Sequence, residues 1–428
     1  MQKQINDYVI NFLSPYLCGY RKGFSTQYAL LSLLEKWKSC LDNKGFCGAI
    51  LMDLSKAFNT INHELLIAKL HAYGFSIDSL EIILSYLQDR WQRVKINTTF
   101  SSWTQLIQGV PQGSVLGPLL FNIYINDIFF ALKEVEICNF ADDTTPYVCD
   151  SNLKTVLEKL EYNSELAIAW FEVNYMKLNT DKCHLLISGN KHEHIYAKVG
   201  HDVIWESNSV KLLGVTIDND LKFDKHVSNI CLKANRKLSA LARVSKFLSL
   251  QKRRTLFKSF IESQFKYCPI VWMFHGRQIN KKINNLHERA LRIVYNDTTT
   301  SFQDLLIKDK SFTIHHQNIQ TLAIEIYKAV NDLPGGNLKE LFVKRNDNYN
   351  LRSESELVVP GINTVTRGKK SIRYFGSILW NSIPSNIRNI EIFEVFKKEI
   401  KKWRPINCPC QLCKNYVGNL GFVNISNN

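Results

Sequence analysis

Two carboxylates stand side by side in Phe140-Ala141-Asp142-Asp143, at the expected tip of an apolar hairpin that runs from Glu134–Asn139 into Thr144–Val148. Like charges held together repel. A divalent cation offsets that repulsion, and Mg²⁺ takes one or two carboxylates while leaving its other positions to water and phosphates. A solvated Asp-Asp turn is the plain alternative. Two further features weigh against it: Asp53, ending the apolar run Ala49-Ile50-Leu51-Met52, and the segment Gly109-Val110-Pro111-Gln112-Gly113-Ser114. Two metal ions about 3.5–4 Å apart can activate an attacking 3′-hydroxyl and stabilise a leaving pyrophosphate, given carboxylates from two converging strands. Asp53 and Asp142 are the pair expected to converge. Catalysis of this kind rests on positioning and charge neutralisation, without a protein nucleophile.

Those residues need elements to hold them. Residues 49–53 read as a short buried strand ending in a carboxylate. A turn through Ala57–His63 leads into a helix carrying Leu65, Leu66 and Leu70 and stopped by Gly74. Leu80, Ile83, Leu84 and Leu87 have the spacing of a second helix. Val94 and Ile96 open a hairpin. The glycine-rich loop then enters one apolar helix from Val115 to Leu132, interrupted by Asn122, Asn126 and Asp127 and therefore no membrane span. The Asp142-Asp143 hairpin follows, then a helix near 153–173 and strands at 185–187 and 211–217. Strands and helices are mixed, with carboxylates at strand ends, which predicts an α+β sheet with helices on one face. From about residue 226 the period is helical. Val227, Ile230, Ala234, Leu238 and Leu241 form one stripe, with Lys233, Arg236 and Lys237 on another face. Ile279, Ile283, Leu286, Ala290 and Ile293 form a second stripe. Pro334-Gly335-Gly336 reads as a linker.

Charge divides along the same line. The 428 residues carry a formal +15, but residues 1–225 hold 21 Lys/Arg against 25 Asp/Glu. Residues 226–330 hold 18 against 6, and residues 331–428 hold 15 against 8. A slightly acidic first half beside a basic second half predicts a metal-using part joined to a polyanion-binding part. Eight of the eleven cysteines lie singly between residues 18 and 268 without framework spacing, which predicts buried thiols in a reducing compartment. The remaining three, Cys408, Cys410 and Cys413, have C-x-C-x₂-C spacing that suits zinc, with unligated thiols as the alternative. A fourth ligand would be distant, such as His275 or His287. No signal peptide is expected at Met1-Gln2-Lys3.

Leu51–Phe58, Gln108–Pro118 and Phe140–Asp143, in that order and at those spacings, closely resemble the three palm motifs of reverse transcriptases from non-LTR retrotransposons, particularly the jockey-like group. Cys18–Thr26 resembles the end of that family's fingers, and Leu212-Leu213-Gly214 its primer-grip hairpin. The likeness extends through Tyr349–Ser353 and Leu379-Trp380-Asn381 to the terminal cysteines.

The resemblance implies a right-hand polymerase fold. Residues 1–48 would be partial fingers, 49–225 the palm, 226–330 a basic helical thumb and 331–428 a C-terminal region with the Cys cluster. It implies an RNA-directed DNA polymerase that extends a DNA 3′ end on an RNA template from deoxynucleoside triphosphates. Asp53 and Asp142 would ligate two Mg²⁺ ions (or Mn²⁺ in their place), with Asp143 in support and the Leu54 carbonyl as a further ligand. Phe58 would exclude a ribose 2′-hydroxyl. Gln112 and Gly113 would lie along nucleotide and template. Arg21 or Lys22 would touch the triphosphate, and Lys182 would donate a proton to pyrophosphate. Lys233, Arg236 and Lys237 would grip the duplex through its phosphates, contacts that fix position without reading sequence.

Two departures from the family pattern stand out. Asn59 occupies a position where the family usually carries Asp, and the chain enters the pattern late in the fingers, without earlier finger strands or an endonuclease domain. The contrasting expectation is therefore a catalytically silent remnant that only binds nucleic acid. The implied DNA substrate suggests nuclear or cytoplasmic action, with no membrane partner.

Overall fold

The structure, a computed structural model, describes residues 1–190, 194–333, 338–345 and 356–403. The expected linker at 334–336, the Tyr349–Ser353 segment and Cys408, Cys410 and Cys413 lie outside the described residues. The elements run in order as helices α1 (Gln2–Val9) and α2 (Thr26–Asp42), strand β1 (Phe46–Leu51), and helices α3 (His63–Ala72) and α4 (Ile77–Leu87). Four short strands follow, β2 (Arg90–Gln92), β3 (Lys95–Ile96), β4 (Thr99–Phe100) and β5 (Thr104–Leu106), and then helices α5 (Gly117–Ile125) and α6 (Ile128–Ala131). Next are β6 (Glu136–Phe140), β7 (Asp143–Asp150), α7 (Leu153–Val173), β8 (His184–Ser188), β9 (Tyr196–Val199) and β10 (Asp202–Trp205). The hairpin β11 (Ser209–Leu212)–β12 (Val215–Asp218) precedes a helical series that includes α8 (Asp224–Val244), α9 (Leu250–Leu256), α10 (Pro269–Trp272) and α11 (Arg277–Tyr295). It continues through α12 (Phe302–Asp309), α13 (Ile314–Val330), α14 (Ile372–Ser382), α15 (Ser385–Arg388) and α16 (Phe393–Ile400). The mixture of helix and strand is the α+β content expected.

Contacts divide the chain into two compact units, residues 1–29 with 44–208, and residues 30–43 with those from 209 onward. In the first unit, β6-β7-β1-β8 form an antiparallel sheet. Cys47 through Leu51 are all buried, so β1 is covered on both faces. Helix α7 crosses the sheet at Gly48: a Cβ there would lie 2.7 Å from Val156 Cγ1 and 2.8 Å from Leu160 Cδ1. The missing side chain is what lets the helix approach. The same core holds Ile50, Met52, Leu120, Phe121, Tyr124, Leu185 and Ile187.

The single helix expected over Val115–Leu132 is two helices, broken at Asn126 and Asp127. The polar side chains at the break have partners elsewhere. Asn126 Nδ2 donates to the Tyr73 hydroxyl (2.7 Å) and to the Phe12 carbonyl (3.0 Å), and its Oδ1 accepts the Ser14 N–H (2.7 Å). Asp127 pairs with the buried ammonium of Lys69, which also donates to the Tyr124 carbonyl. Such groups are costly to bury unpaired, and these contacts satisfy them where the chain bends.

In the second unit the stripe on α8 is buried as expected, including Val227, Ile230, Ala234, Leu238 and Leu241. On α11 the buried face is rotated from the expected one. Asn280, Asn284 and His287 are buried with Ile279, Ile283, Ala290, Leu291 and Val294, while Leu286 and Ile293 are only half-buried. Residues 30–43 dock here through Glu35, whose carboxylate accepts the first N–H groups of α14 from Ile372 and Arg373. A carboxylate at a helix N-terminus meets the dipole favourably, and Lys38 balances it at 3.1 Å. Among the described residues, no helix is long and apolar enough to cross a membrane. The eight described cysteines form no disulfide.

Gly48→Val overpacks the contact between α7 and β1. It should cost about 1–3 kcal/mol, read as a lower urea midpoint, whereas an unchanged midpoint would show that the close approach is not needed.

Candidate active site

The turn bearing the two carboxylates is built by register. Phe140 pairs with Asp143 and Asn139 with Thr144, leaving Ala141-Asp142 as a two-residue connection. Ala141 has φ 58°, the left-handed region expected in a tight hairpin turn. The buried Asn139 amide laces the turn from beneath. Its Nδ2 donates to the Ala141 carbonyl (3.1 Å) and the Thr144 hydroxyl (3.0 Å), with the Asp143 carbonyl at 3.4 Å. The segment before α2 closes over it: the Cys18 N–H donates to the Asn139 carbonyl (3.1 Å), and a Cβ at Gly19 would collide with the Ala141 backbone nitrogen. Asn122, buried in α5, donates to the Gly19 carbonyl at 2.7 Å. Glycine is required at 19 by this close approach.

Asp53 arrives from the neighbouring strand. The Met52 N–H donates to the Thr144 carbonyl (3.0 Å), so the extension of β1 runs beside the start of β7. On its other side, the Asn179 N–H donates to the Asp53 carbonyl (2.9 Å). This anchors the turn that carries Lys182, and the Lys182 ammonium stands 3.3 Å from Asp53 Oδ2. Asp53, Asp142 and Asp143 thus gather at one end of the sheet. Partial burial, Asp142 and Asp53 together push the Asp143 carboxyl above the usual carboxylate range. Partial burial and Asp142 likewise raise the Tyr20 hydroxyl. The donor set consists of hard carboxylate oxygens crowded enough to disfavour full ionisation, which is the chemistry that fits Mg²⁺.

Phe58 stacks on buried Phe121, with ring centroids 4.3 Å apart, and meets Tyr20 edge-on at 5.9 Å. It is half-buried. The glycine-rich loop is tied to the same turn. The Gly109 N–H donates to the Ile61 carbonyl and the Val110 N–H to that of Phe58, while His63 Nε2 bonds to the Gly109 carbonyl. Gln112 is exposed and its amide donates to Asn59 Oδ1 at 2.9 Å. Gly113, at φ +84°, has nothing within 4 Å of where a Cβ would stand. Leu54 is buried and paired with Leu178. Arg21 donates to the carbonyls of Ser14 (2.6 Å) and Leu17 (3.0 Å), with its guanidinium over Phe24. Lys22 is exposed.

The second unit has its own polar cleft, of about 710 Å³, lined in part by Lys211, Lys233, Arg236, His226 and Tyr267. The Leu213-Gly214 turn overhangs it, and its Leu213 carbonyl accepts from the Tyr267 hydroxyl at 2.7 Å. Burial and Lys233 hold His226 neutral, pushed down to about 4, and its Nδ1 accepts the Thr216 N–H. Lys237 is exposed on the same helix. His275 and His287 are buried and likewise pushed down to about 4, chiefly by desolvation.

Sequence reading did not assign roles to Asn139, Asn122, Gly19 or Tyr20. The available signal was a lone Asn in an apolar strand and another in an apolar helix, since buried amides are retained only where they bond.

Comparison with known proteins gives the family. The chain belongs to the reverse transcriptase family: residues 1–217 match the family described as Reverse transcriptase (RNA-dependent DNA polymerase). It is 25% identical over 315 residues to a protein named "Probable RNA-directed DNA polymerase from transposon BS" of Drosophila melanogaster, covering 68% of this chain and 34% of that one. It is 25% identical over 295 residues to the RNA-directed DNA polymerase from mobile element jockey of the same organism, covering 66% and 32%. The chain therefore spans about a third of the length of these relatives. Among solved structures, an apo telomerase from Candida tropicalis truncated from its C-terminal domain aligns at 17% identity over 51% of this chain and 43% of its own, with a TM-score of 0.37. That score is too low to bear on the fold.

The crowded Asp143 carboxyl costs the folded protein stability. The cost is absent below the unfolded carboxyl value of about 3.9 and complete above the raised folded value. In EDTA, Asp143→Asn should therefore melt higher than wild type at pH 8, with the gain shrinking toward pH 4. Added Mg²⁺ should raise the wild-type melting temperature more than the variant's. A variant that melts lower at pH 8 would contradict the crowding.

Proposed function

We propose that this chain carries the palm and thumb of an RNA-directed DNA polymerase of a non-LTR retrotransposon. The supporting observation is the convergence of Asp53, Asp142 and Asp143 from two adjacent strands of one sheet, where partial burial and the two neighbouring carboxylates together raise the Asp143 carboxyl. Asp53, Asp142 and Asp143, with the Leu54 carbonyl, would hold two Mg²⁺ ions. When bound, these supply Lewis-acid activation of a primer 3′-hydroxyl and neutralise charge on the triphosphate.

The chain's own residues do the rest. Lys182, held at Asp53, is within reach of the leaving side and is the group to give a proton from Nζ to departing pyrophosphate. Phe58, braced by Phe121, offers a fixed wall against a ribose 2′-hydroxyl. Gln112, steadied by Asn59, and Gly113 border the space for nucleotide and template. With Arg21 occupied by two carbonyls, Lys22 is the freer cation for a triphosphate. In the second unit, Lys211, Lys233 and Arg236 line a cleft suited to duplex phosphates, with Lys237 adding charge beside it. The partners in this reading are template RNA, a DNA primer and deoxynucleoside triphosphates.

Primer extension on RNA tests the assignment. Extension should require Mg²⁺ or Mn²⁺, fall about 10²- to 10³-fold or more in Asp53→Ala and Asp142→Ala, and lose discrimination against ribonucleotides in Phe58→Ala. Activity retained in both Asp variants would sink the metal assignment. Salt-sensitive RNA binding without extension at any metal concentration would identify a silent binding remnant instead.

A further inference from the structure

The hairpin between α4 and the glycine-rich loop is unlike any other part of the first unit. Fifteen consecutive residues, Trp91 to Gln105, are exposed. They include Trp91 at 56%, Ile96 at 69% and Trp103 at 57% of full exposure, with Phe100 at 45%. Apolar side chains on a two-stranded ribbon contribute nothing to a core when they face water. The ribbon is nonetheless ordered by its own pairs, Trp91 with Gln105, Gln92 with Thr104 and Lys95 with Phe100. Ser101 ties it across, its N–H donating to the Val94 carbonyl and its Oγ accepting the Val94 N–H, both at 2.9 Å.

The charge on this ribbon is of one sign. From Arg90 to Asn126 the chain contains Arg90, Arg93 and Lys95 and no Asp or Glu, within a half that is acidic as a whole. The cations and rings interleave. Arg93 lies over both Phe100 (3.9 Å) and Trp103 (4.6 Å), and Lys95 lies 5.2 Å from the Phe100 centroid. Accessible aromatic faces with guanidinium and ammonium groups beside them suit a flexible polyanion carrying flat bases, in which rings stack and cations meet phosphates. A protein partner of ordinary surface would favour the rings but has no need of an acid-free ribbon.

The root of the ribbon decides which strand it meets. β5 ends at Leu106, and three residues later Gly109 is bonded to Ile61 beside Phe58 and Gln112. Accepting the polymerase reading, on which this step rests, the single strand nearest that loop is template RNA not yet copied. We propose that the Arg90–Leu106 hairpin is a binding surface for the single-stranded RNA template ahead of the nucleotide site, with Trp103 and Phe100 stacking on bases and Arg93 and Lys95 meeting phosphates.

Binding measured in EDTA separates this from catalysis, because it needs no turnover and stands or falls whether or not primers are extended. The full chain is titrated with three labelled RNA–DNA duplexes: one with a 5′ RNA overhang, one flush, and one with a DNA overhang instead. Trp103→Ala should weaken binding to both overhang duplexes about 5- to 100-fold, since stacking does not distinguish RNA from DNA, and leave the flush duplex unchanged, with no change in salt dependence. Arg93→Gln should lower the slope of log affinity against log salt by about 0.7 on the same duplex. Trp103→Tyr, which keeps an aromatic face, should restore binding and thereby exclude a folding defect. Equal affinity of Trp103→Ala and wild type for the RNA-overhang duplex would overturn the proposal. So would an equal loss on the flush duplex, or loss of self-association in sedimentation with RNA affinity unchanged.

Discussion

Everything in the first unit depends on holding three carboxylates together against their mutual repulsion. Left to itself, a two-residue turn with adjacent aspartates would splay toward water. Here it cannot, because the turn is fixed from three directions. The β6–β7 register sets its length, the Asn139 side chain ties Ala141 and Thr144 beneath it, and the Gly19 backbone presses on it from above. Asp53 is fixed by main-chain bonds on both flanks, through Met52 to Thr144 and through its own carbonyl to Asn179. Partial burial first, and then the repulsion kept in the folded state, raise the Asp143 carboxyl. The Lys182 ammonium, itself largely exposed, offsets part of the charge at Asp53.

The rigidity behind the carboxylates comes from ordinary packing. β1 is buried on both faces, and Gly48 lets α7 settle close to the strand. Helix α5 contributes twice, through Phe121 under the Phe58 ring and through Asn122 on the Gly19 carbonyl. The apolar face of one helix thus braces the Phe58 ring, while its one buried amide braces the segment closing over the Asp142-Asp143 turn. A change within α5 would be felt at both.

The second unit uses polar groups differently. Its helices bury Asn280, Asn284 and His287 among apolar residues, and burial keeps His275 and His287 neutral near pH 7. Lys233 and Arg236, by contrast, stay exposed beside a cleft that also receives Lys211. Charge is kept at the surface where a polyanion can reach it.

Much of this was legible in the sequence. The buried strand before Asp53, the hairpin at Asp142-Asp143, the amphipathic stripe of α8 and the charge contrast between halves all follow from local pattern, because period, turn chemistry and net charge are properties of neighbouring residues. The break at Asn126-Asp127 and the rotated face of α11 were not legible. At the break, partners from distant segments hold the polar side chains, among them Lys69, Ser14 and Tyr73. On α11 it is packing that buries them, as with the His287 ring against Phe257 and Phe302, and Asn284 Oδ1 and both His287 ring nitrogens have no hydrogen-bond partner among the described residues. Likewise, residue types alone singled out the aspartates as candidate metal ligands, but gave no sign that Asn139, Asn122 and Gly19 hold the turn in place. Asn139 acts within its own hairpin, but the roles of Asn122 and Gly19 exist only once segments more than a hundred residues apart meet, since a hydrogen bond or a close approach is defined by distance in space rather than along the chain.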